Sequence, residues 1–180
     1  MIRLFDFFFS FIGILVMLPV FFFLFVISLF NNGSVIFTQN RIGAGQKTFL
    51  LIKLRTMPLN TRSVATHLVK NINISPFHNF LRKTKLDEMP QLLNVLIGNM
   101  SLVGPRPCLL NQSKLISERK KRGVFKVKPG ITGLAQIKGI TMKDPILLAK
   151  TDLRMIKQMN LYYYFYYIFM TIIDLLKRNK

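Results

Sequence analysis

Residues 7–30 read FFFSFIGILVMLPVFFFLFVISLF, and the placement of this stretch decides the fold. No charged residue interrupts it. Its roughly 24 positions make about 36 Å of straight α-helix, against about 30 Å of hydrocarbon in a bilayer. It is too long and too rich in Phe for a signal-peptide core, and no small-residue cleavage site follows. The segment therefore enters a membrane. Two arrangements fit. The simpler is a single spanning helix. The other is a re-entrant hairpin that returns to the same face. Its motive is Pro19, mid-segment, which removes one helical hydrogen bond and clashes with the preceding turn, although ordinary spanning helices also carry proline. Arg3 and Asp6 nearly cancel in front of the segment and a basic body follows. The positive-inside bias then places residues 40–180 on the cytoplasmic side in either arrangement.

The remainder is one domain in size, and large enough to bury a core. The chain has 26 Lys and Arg against 7 Asp and Glu, a formal charge of +19. That excess calls for anionic partners: nucleic acid, an anionic membrane surface or phosphorylated substrates. A single cysteine, Cys108, excludes an internal disulfide. Two histidines (His67, His78) and one cysteine argue against zinc, while a hard cation held by carboxylates stays open.

After the turn residues Asn31-Asn32-Gly33, Ser34–Gln39 alternates in the manner of a strand, and Phe49–Arg55 reads as a second. Between them, RIGAGQKT (41–48) reads as a turn. It imitates a nucleotide loop, but Gln46 stands where that loop needs Gly directly before Lys, and no long helix follows. Residues 57–75 read as a polar insert. Pro76–Lys83 reads as a short helix. A second is expected from about Asp87 to Ile97, with Pro90 in its first turn and Leu92, Leu93, Leu96 and Ile97 as its apolar stripe. Asn111–Arg122 reads as a charged surface helix and Val127–Gln136 as a turn between extended pieces. Pro145–Met159 reads as an amphipathic helix. Tyr162–Leu176 is aromatic and aliphatic. It suits a membrane interface, or alternatively an ordinary buried helix.

The chemistry concentrates in KLDEMPQLLNVLIGNMSLVGPRP (85–107). Asp87 and Glu88 are two of only seven acids, side by side at an expected helix start. There the free N–H groups favour negative charge, so capping accounts for one of them. Two adjacent acids exceed what a cap needs. Arg82, Lys83 and Lys85 would keep Asp87 ionised, as a nucleophile or Mg²⁺ ligand must be. Arg106 is held extended between two prolines, and its planar fork suits phosphate. Lys53 and Arg55 share one strand face and suit a diphosphate, or are solvated edge charges. Asp152 suits substrate or a cation, or pairs at the surface with Lys150 or Arg154.

Six motifs in order carry a resemblance: Arg3-Leu-Phe-Asp6, Ser34-Val-Ile-Phe-Thr-Gln-Asn-Arg41, Ile52-Lys-Leu-Arg-Thr-Met57, Leu86-Asp-Glu-Met-Pro-Gln-Leu-Leu-Asn-Val95, Met100-Ser-Leu-Val-Gly-Pro-Arg-Pro107 and Lys128-Pro-Gly-Ile-Thr-Gly-Leu-Ala-Gln136. Together they resemble the bacterial sugar transferases that begin lipid-linked glycan assembly, the small monotopic polyprenyl-phosphate phosphoglycosyl transferases. The resemblance implies an α+β protein. Residues 1–31 would form a re-entrant membrane helix broken near Pro19. Residues 32–180 would form a cytoplasmic, membrane-associated catalytic domain with interfacial amphipathic helices and a short β-hairpin.

It also implies a mechanism. Asp87 attacks the sugar-proximal phosphorus of a UDP-sugar, UMP leaves, and a polyprenyl (undecaprenyl) phosphate takes the phosphosugar from the enzyme. Glu88 is the partner acid. The dyad helps bind Mg²⁺, and Lys53, Arg106 and Asp152 match active-site positions. The expected location is the bacterial inner membrane with the catalytic domain on the cytoplasmic face, bound to anionic lipid and not to nucleic acid, with a homodimer permitted.

Three positions depart from the pattern. Leu18 precedes Pro19 where many members have Ser, Asn99 replaces Asp in the usual Gly-Asp-Met, and Lys138-Gly139-Ile140 replaces Asn-Gly-Arg. Two other functions stay in view: an inactive member serving as a membrane scaffold, and a basic membrane-anchored protein that binds lipid or nucleic acid. The latter lacks a basic stripe interleaved with aromatics and gives no reason for Asp87-Glu88.

Overall fold

The structure is a computed structural model that describes residues 1–32, 35–57 and 75–178. The expected polar insert at residues 57–75 lies almost wholly outside the described residues, as do Gly33 and Ser34.

Helix α1 (Ile2–Asn32) carries the apolar segment and has Pro19 inside it. From Ile2 to Ile27 it is long and apolar enough to cross a membrane, and most of its surface faces outward. Three contacts lay α1 along the rest of the molecule. Ile2 and Phe5 pack on the buried cluster of Val103, Met155, Tyr164 and Tyr167. Gly13 faces Leu92, where an added Cβ would come within 3.1 Å of the leucine methyl. Leu24 is buried with Val35, Leu54 and Leu81. Both halves of the helix therefore touch the body.

The hairpin forms as the alternation predicts. Strand β1 (Ile36–Ile42) pairs antiparallel with β2 (Thr48–Leu54), with Phe37 opposite Lys53. The turn closes with Gly43 N–H donating to Lys47 O at 2.8 Å, and Gly45 takes φ +62°, a conformation glycine adopts without steric cost.

Next come helix α2 (Pro76–Thr84), begun by Ser75 as N-cap and Pro76 in the first turn, and helix α3 (Gln91–Leu96). The expected helix from Asp87 is corrected here. Lys85 ends α2 at φ +57°, and the acids occupy a separate 3₁₀ turn, Leu86–Glu88, with α3 starting only after Pro90. A left-handed residue reverses the chain and stops helix propagation. The apolar stripe is corrected too. Leu92 and Val95 are buried, joined by polar Gln91 and Asn94, while Leu93 and Ile97 are exposed.

Two short strands follow, β3 (Ser101–Val103) and β4 (Cys108–Leu109), then helix α4 (Ser113–Lys121), strand β5 (Gly130–Thr132) and helices α5 (Leu134–Ile137), α6 (Pro145–Gln158) and α7 (Leu161–Arg178). Leu134–Ile137 turns helical where sequence reading expected an extended piece. β4 extends the hairpin into a sheet of order β2-β1-β4, and β3 pairs with β5 in parallel. The described chain is thus α+β. α7 buries Tyr164 and Tyr167 and exposes Phe165, Phe169, Ile172 and Leu176, one apolar stripe at helical spacing.

Candidate active site

The loop Gly104-Pro105-Arg106-Pro107 joins β3 to β4, so it links the two sheets. Its prolines donate no hydrogen bonds, but its carbonyls are all held. Pro105 O accepts from Gly130 N–H at 2.9 Å, Arg106 O from Arg119 at 2.7 Å and Pro107 O from Arg41 at 3.1 Å. Gly104 N–H donates to Thr132 O at 2.8 Å. Gly104 and Gly130 touch backbone to backbone; a Cβ on Gly130 would lie 2.0 Å from Gly104 N. This explains two glycines in distant motifs. Neither position has room for a side chain.

The dyad is brought to this loop by α3. Buried Asn94 accepts from Ile52 N–H at 3.0 Å and donates to Leu50 O at 2.8 Å, completing the free edge of β2 as a further strand would. Arg3 donates to Val95 O at 2.5 Å and Leu96 O at 2.7 Å, capping the carboxyl end of α3. Asp6, buried, accepts at Oδ1 from Ser101 Oγ (3.0 Å), Leu102 N–H (2.9 Å) and the Tyr164 hydroxyl (2.8 Å). The first two turns of α1 thus fasten α3, β3 and α7 together.

Arg106 turns its fork to Glu88, with contacts of 2.5 Å and 3.5 Å. Burial raises the Glu88 pKa, but the Arg106 charge and hydrogen bonds prevail, helped by Lys85 and Lys53, and hold it below the ordinary carboxylate range. The Glu88 charge in turn raises Arg106. Asp87 is also buried, and its carboxylate makes no hydrogen bond to a described residue. Of the cations expected to keep it ionised, Arg82 acts on it, joined by Lys53 and Arg106 rather than by Lys83 and Lys85. Burial and the neighbouring Glu88 push its pKa up to about 6, against Lys53, Arg82 and Arg106. At pH 7 about nine-tenths of it is still ionised.

Lys53 and Arg55 do share a face. Each cationic group sits 5.2 Å from the centroid of Phe37, which orients both. Burial lowers the Lys53 pKa, with Asp87 and Glu88 opposing. Lys53, Asp87, Glu88 and Arg106 therefore form one cluster. Arg41 joins its rim, its pKa lowered to about 10 by burial and by Arg106.

Asp152 is placed differently from either surface pairing. It is buried within α6, and its Oδ2 accepts from Arg119 at 2.7 and 2.9 Å; Lys150 and Arg154 are not its partners. Burial raises its pKa against the opposing Arg119 charge. Sequence reading missed Arg119, Asn94 and Arg41 as supports of the site. The signal for Arg119 and Asp152 was spacing. Leu115 and Arg119, and Leu148, Asp152 and Met155, fall on buried helical stripes. Of the departures, Asn99 and Lys138 are both exposed.

Asp87 thus lies beside the Glu88–Arg106 ion pair and Lys53, in a protein whose α1 is long and apolar enough to cross a membrane. The family whose model matches residues 1–178 is described as bacterial sugar transferase, and the chain belongs to that family. It is 44% identical over 114 residues to the "Uncharacterized sugar transferase EpsL" of Bacillus subtilis (strain 168), covering 63% of this chain and 56% of that protein. It is 34% identical over 155 residues to the UDP-glucose:undecaprenyl-phosphate glucose-1-phosphate transferase of Escherichia coli (strain K12), covering 81% of this chain and 33% of that protein. It is 39% identical over 151 residues to the exopolysaccharide production protein PSS of Rhizobium leguminosarum bv. phaseoli, covering 77% and 74%. The chain thus spans about half of the first of these relatives and a third of the second.

Proposed function

We propose that this protein transfers a sugar 1-phosphate from a UDP-sugar to a polyprenyl phosphate at the cytoplasmic face of the bacterial inner membrane. The carrying observation is Asp87, a mostly ionised, partly desolvated carboxylate with no hydrogen bond to a described residue, beside the Glu88–Arg106 pair. An Asp87 oxygen attacks the sugar-proximal phosphorus, and the phosphorus–oxygen bond to UMP breaks. A phosphosugar is left on the carboxylate. A polyprenyl-phosphate oxygen then attacks the same phosphorus, the bond to Asp87 breaks, and the carboxylate is restored. Lys53 and Arg106 meet the negative charge of the diphosphate, and Arg55, on the same strand face as Lys53 and beside the same Phe37 ring, adds to it.

The donor set fits Mg²⁺ in the limited way that ion is used with phosphates. It is commonly held by one or two carboxylates plus substrate oxygens, here Asp87 and Glu88, and the described residues contain no group of three metal-binding side chains for a closed cage. When bound, the ion supplies positive charge that offsets the diphosphate and the leaving group.

The contacts of α1 support a helix that enters the lipid without parting from the catalytic body. Asp6 is tied to Ser101 and Tyr164 near one end, and Leu24 packs on Leu54 and Leu81 toward the other. The exposed stripe of α7 extends the same apolar flank, since Phe165 meets Phe5 and Phe9 edge-on at 5.4 and 6.0 Å. These contacts support a reading in which the protein is seated in one leaflet, where a lipid phosphate lies at headgroup level.

The test is UMP release by protein in nanodiscs with Mg²⁺, a polyprenyl phosphate and a panel of UDP-sugars. Release from one or two donors by the wild type, absent in Asp87→Asn and falling below pH 6, is expected. Equal release by the variant overturns the assignment of Asp87.

A further inference from the structure

We propose that Arg119 is a positioning residue for the transfer reaction, and that Asp152 acts on the site only through it. The inference rests on the phosphoglycosyl transferase reading and concerns how its Arg106 loop is held.

The guanidinium of Arg119 is a junction of three elements. It belongs to α4, its Nε and one terminal nitrogen donate to Asp152 of α6, and its other nitrogen donates to Arg106 O at 2.7 Å. All of this is out of water, with side-chain exposures of 2% for Arg119 and 1% for Asp152. One backbone carbonyl separates this junction from the residue whose side chain grips Glu88. The loop itself has little means of self-support, because Pro105 and Pro107 lack N–H groups. Its conformation is set by the Gly104 N–H bond to Thr132 O and by the donors on its carbonyls, of which Arg119 supplies the one on Arg106 O.

Only arginine fits the role. Its planar fork serves two acceptors in fixed directions at once, whereas a lysine ammonium is a point charge on a flexible stem. Asp152 fixes the plane of that fork. Its remaining oxygen, Oδ1, is buried with no hydrogen-bond partner among the described residues, so none of these competes for its orientation.

A purely structural ion pair makes a different forecast, which allows a clean test. Replacing a buried pair by apolar residues of similar volume is often neutral or stabilising. Arg119→Met combined with Asp152→Leu should therefore melt near wild type. Its kcat should nonetheless fall by about 10- to 100-fold, as expected for a displaced catalytic loop. Hydrogen exchange across residues 104–109 should be faster in the double variant. Arg119→Lys, which keeps the charge beside Asp152, should show the same loss of kcat. Adding Asp152→Asn to Arg119→Lys should cost no further activity, since residues that act as one unit are not additive.

A double variant that is both stable and fully active, with exchange unchanged, overturns the proposal and leaves the pair as packing. A further loss in the Arg119→Lys, Asp152→Asn combination that appears as a raised KM for the UDP-sugar also overturns it, because Asp152 then meets substrate directly. If the wild type releases no UMP, the underlying functional reading fails, and the exchange measurement still decides whether Arg119 holds the loop.

Discussion

Two ion pairs meet at Arg106, one on its side chain and one on its carbonyl, and they differ in almost every physical respect. Glu88–Arg106 is open on the arginine side, with exposures of 43% for Arg106 and 14% for Glu88; Arg119–Asp152 is closed, with both side chains at 2% or less. An open pair can exchange partners. Arg106 can release a carboxylate for a phosphate with the same fork, at an energetic cost moderated by water. A closed pair cannot, because each bare charge would remain in a poorly polarisable interior. The site thus keeps its exchangeable contact on the side chain and its permanent contact on the backbone of one residue.

The sharpest way to break the comparison is at its centre. Asp87→Asn keeps the shape of the dyad and replaces the anionic carboxylate by a neutral, weakly nucleophilic amide, so turnover should fall by about 10⁴-fold or more, measured as UMP release. Next in size is the closed pair. Asp152→Asn strands the Arg119 charge and should cost about 3–5 kcal/mol in chemical denaturation. The open pair should behave in the opposite sense. Arg106→Ala is expected to cost only about 1 kcal/mol of stability while lowering turnover about 100-fold. A comparable loss of stability from both pairs would erase the distinction.

The last effect concerns pH. The Asp87 pKa rises from 3.8 to about 6 on folding, so the folded chain binds its proton more tightly than the unfolded chain does. The resulting stabilisation is greatest below pH 4 and is lost as pH rises through 6, amounting to about 2–3 kcal/mol. Asp87→Asn removes this dependence. Relative to wild type the variant should gain stability between pH 4.5 and 7.5, read from denaturation midpoints at the two values.

Much of this was legible in the sequence, for identifiable reasons. The apolar segment, the hairpin strands and the proline-initiated helices α2 and α6 follow from length, alternation and capping, which are local. The irregular Gly-Pro-Arg-Pro loop follows from the dihedral limits of its residues. What sequence alone did not yield depends on long-range contact. Arg119 looks like one of several bases on a charged helix until α6 closes over it. Asn94 looks like a polar interruption until β2 leaves it an unpaired edge. The β3–β5 pairing spans only three residues per strand, too few for alternation to register. Asp87 and Glu88 were found as a pair but placed on the wrong element, because nothing in the residue pattern announces that Lys85 adopts a left-handed conformation.

The tie between Asp6 and its three donors has a practical consequence for anyone preparing a water-soluble version of this protein. Cutting the chain after Asn32 removes a greasy helix, but it also leaves Ser101, Leu102 and Tyr164 with hydrogens and no oxygen to receive them, and strips Arg3 from the end of α3. Each stranded buried donor costs about 1–3 kcal/mol. Detergent is the smaller inconvenience: the anchor and the keystone are the same piece of chain.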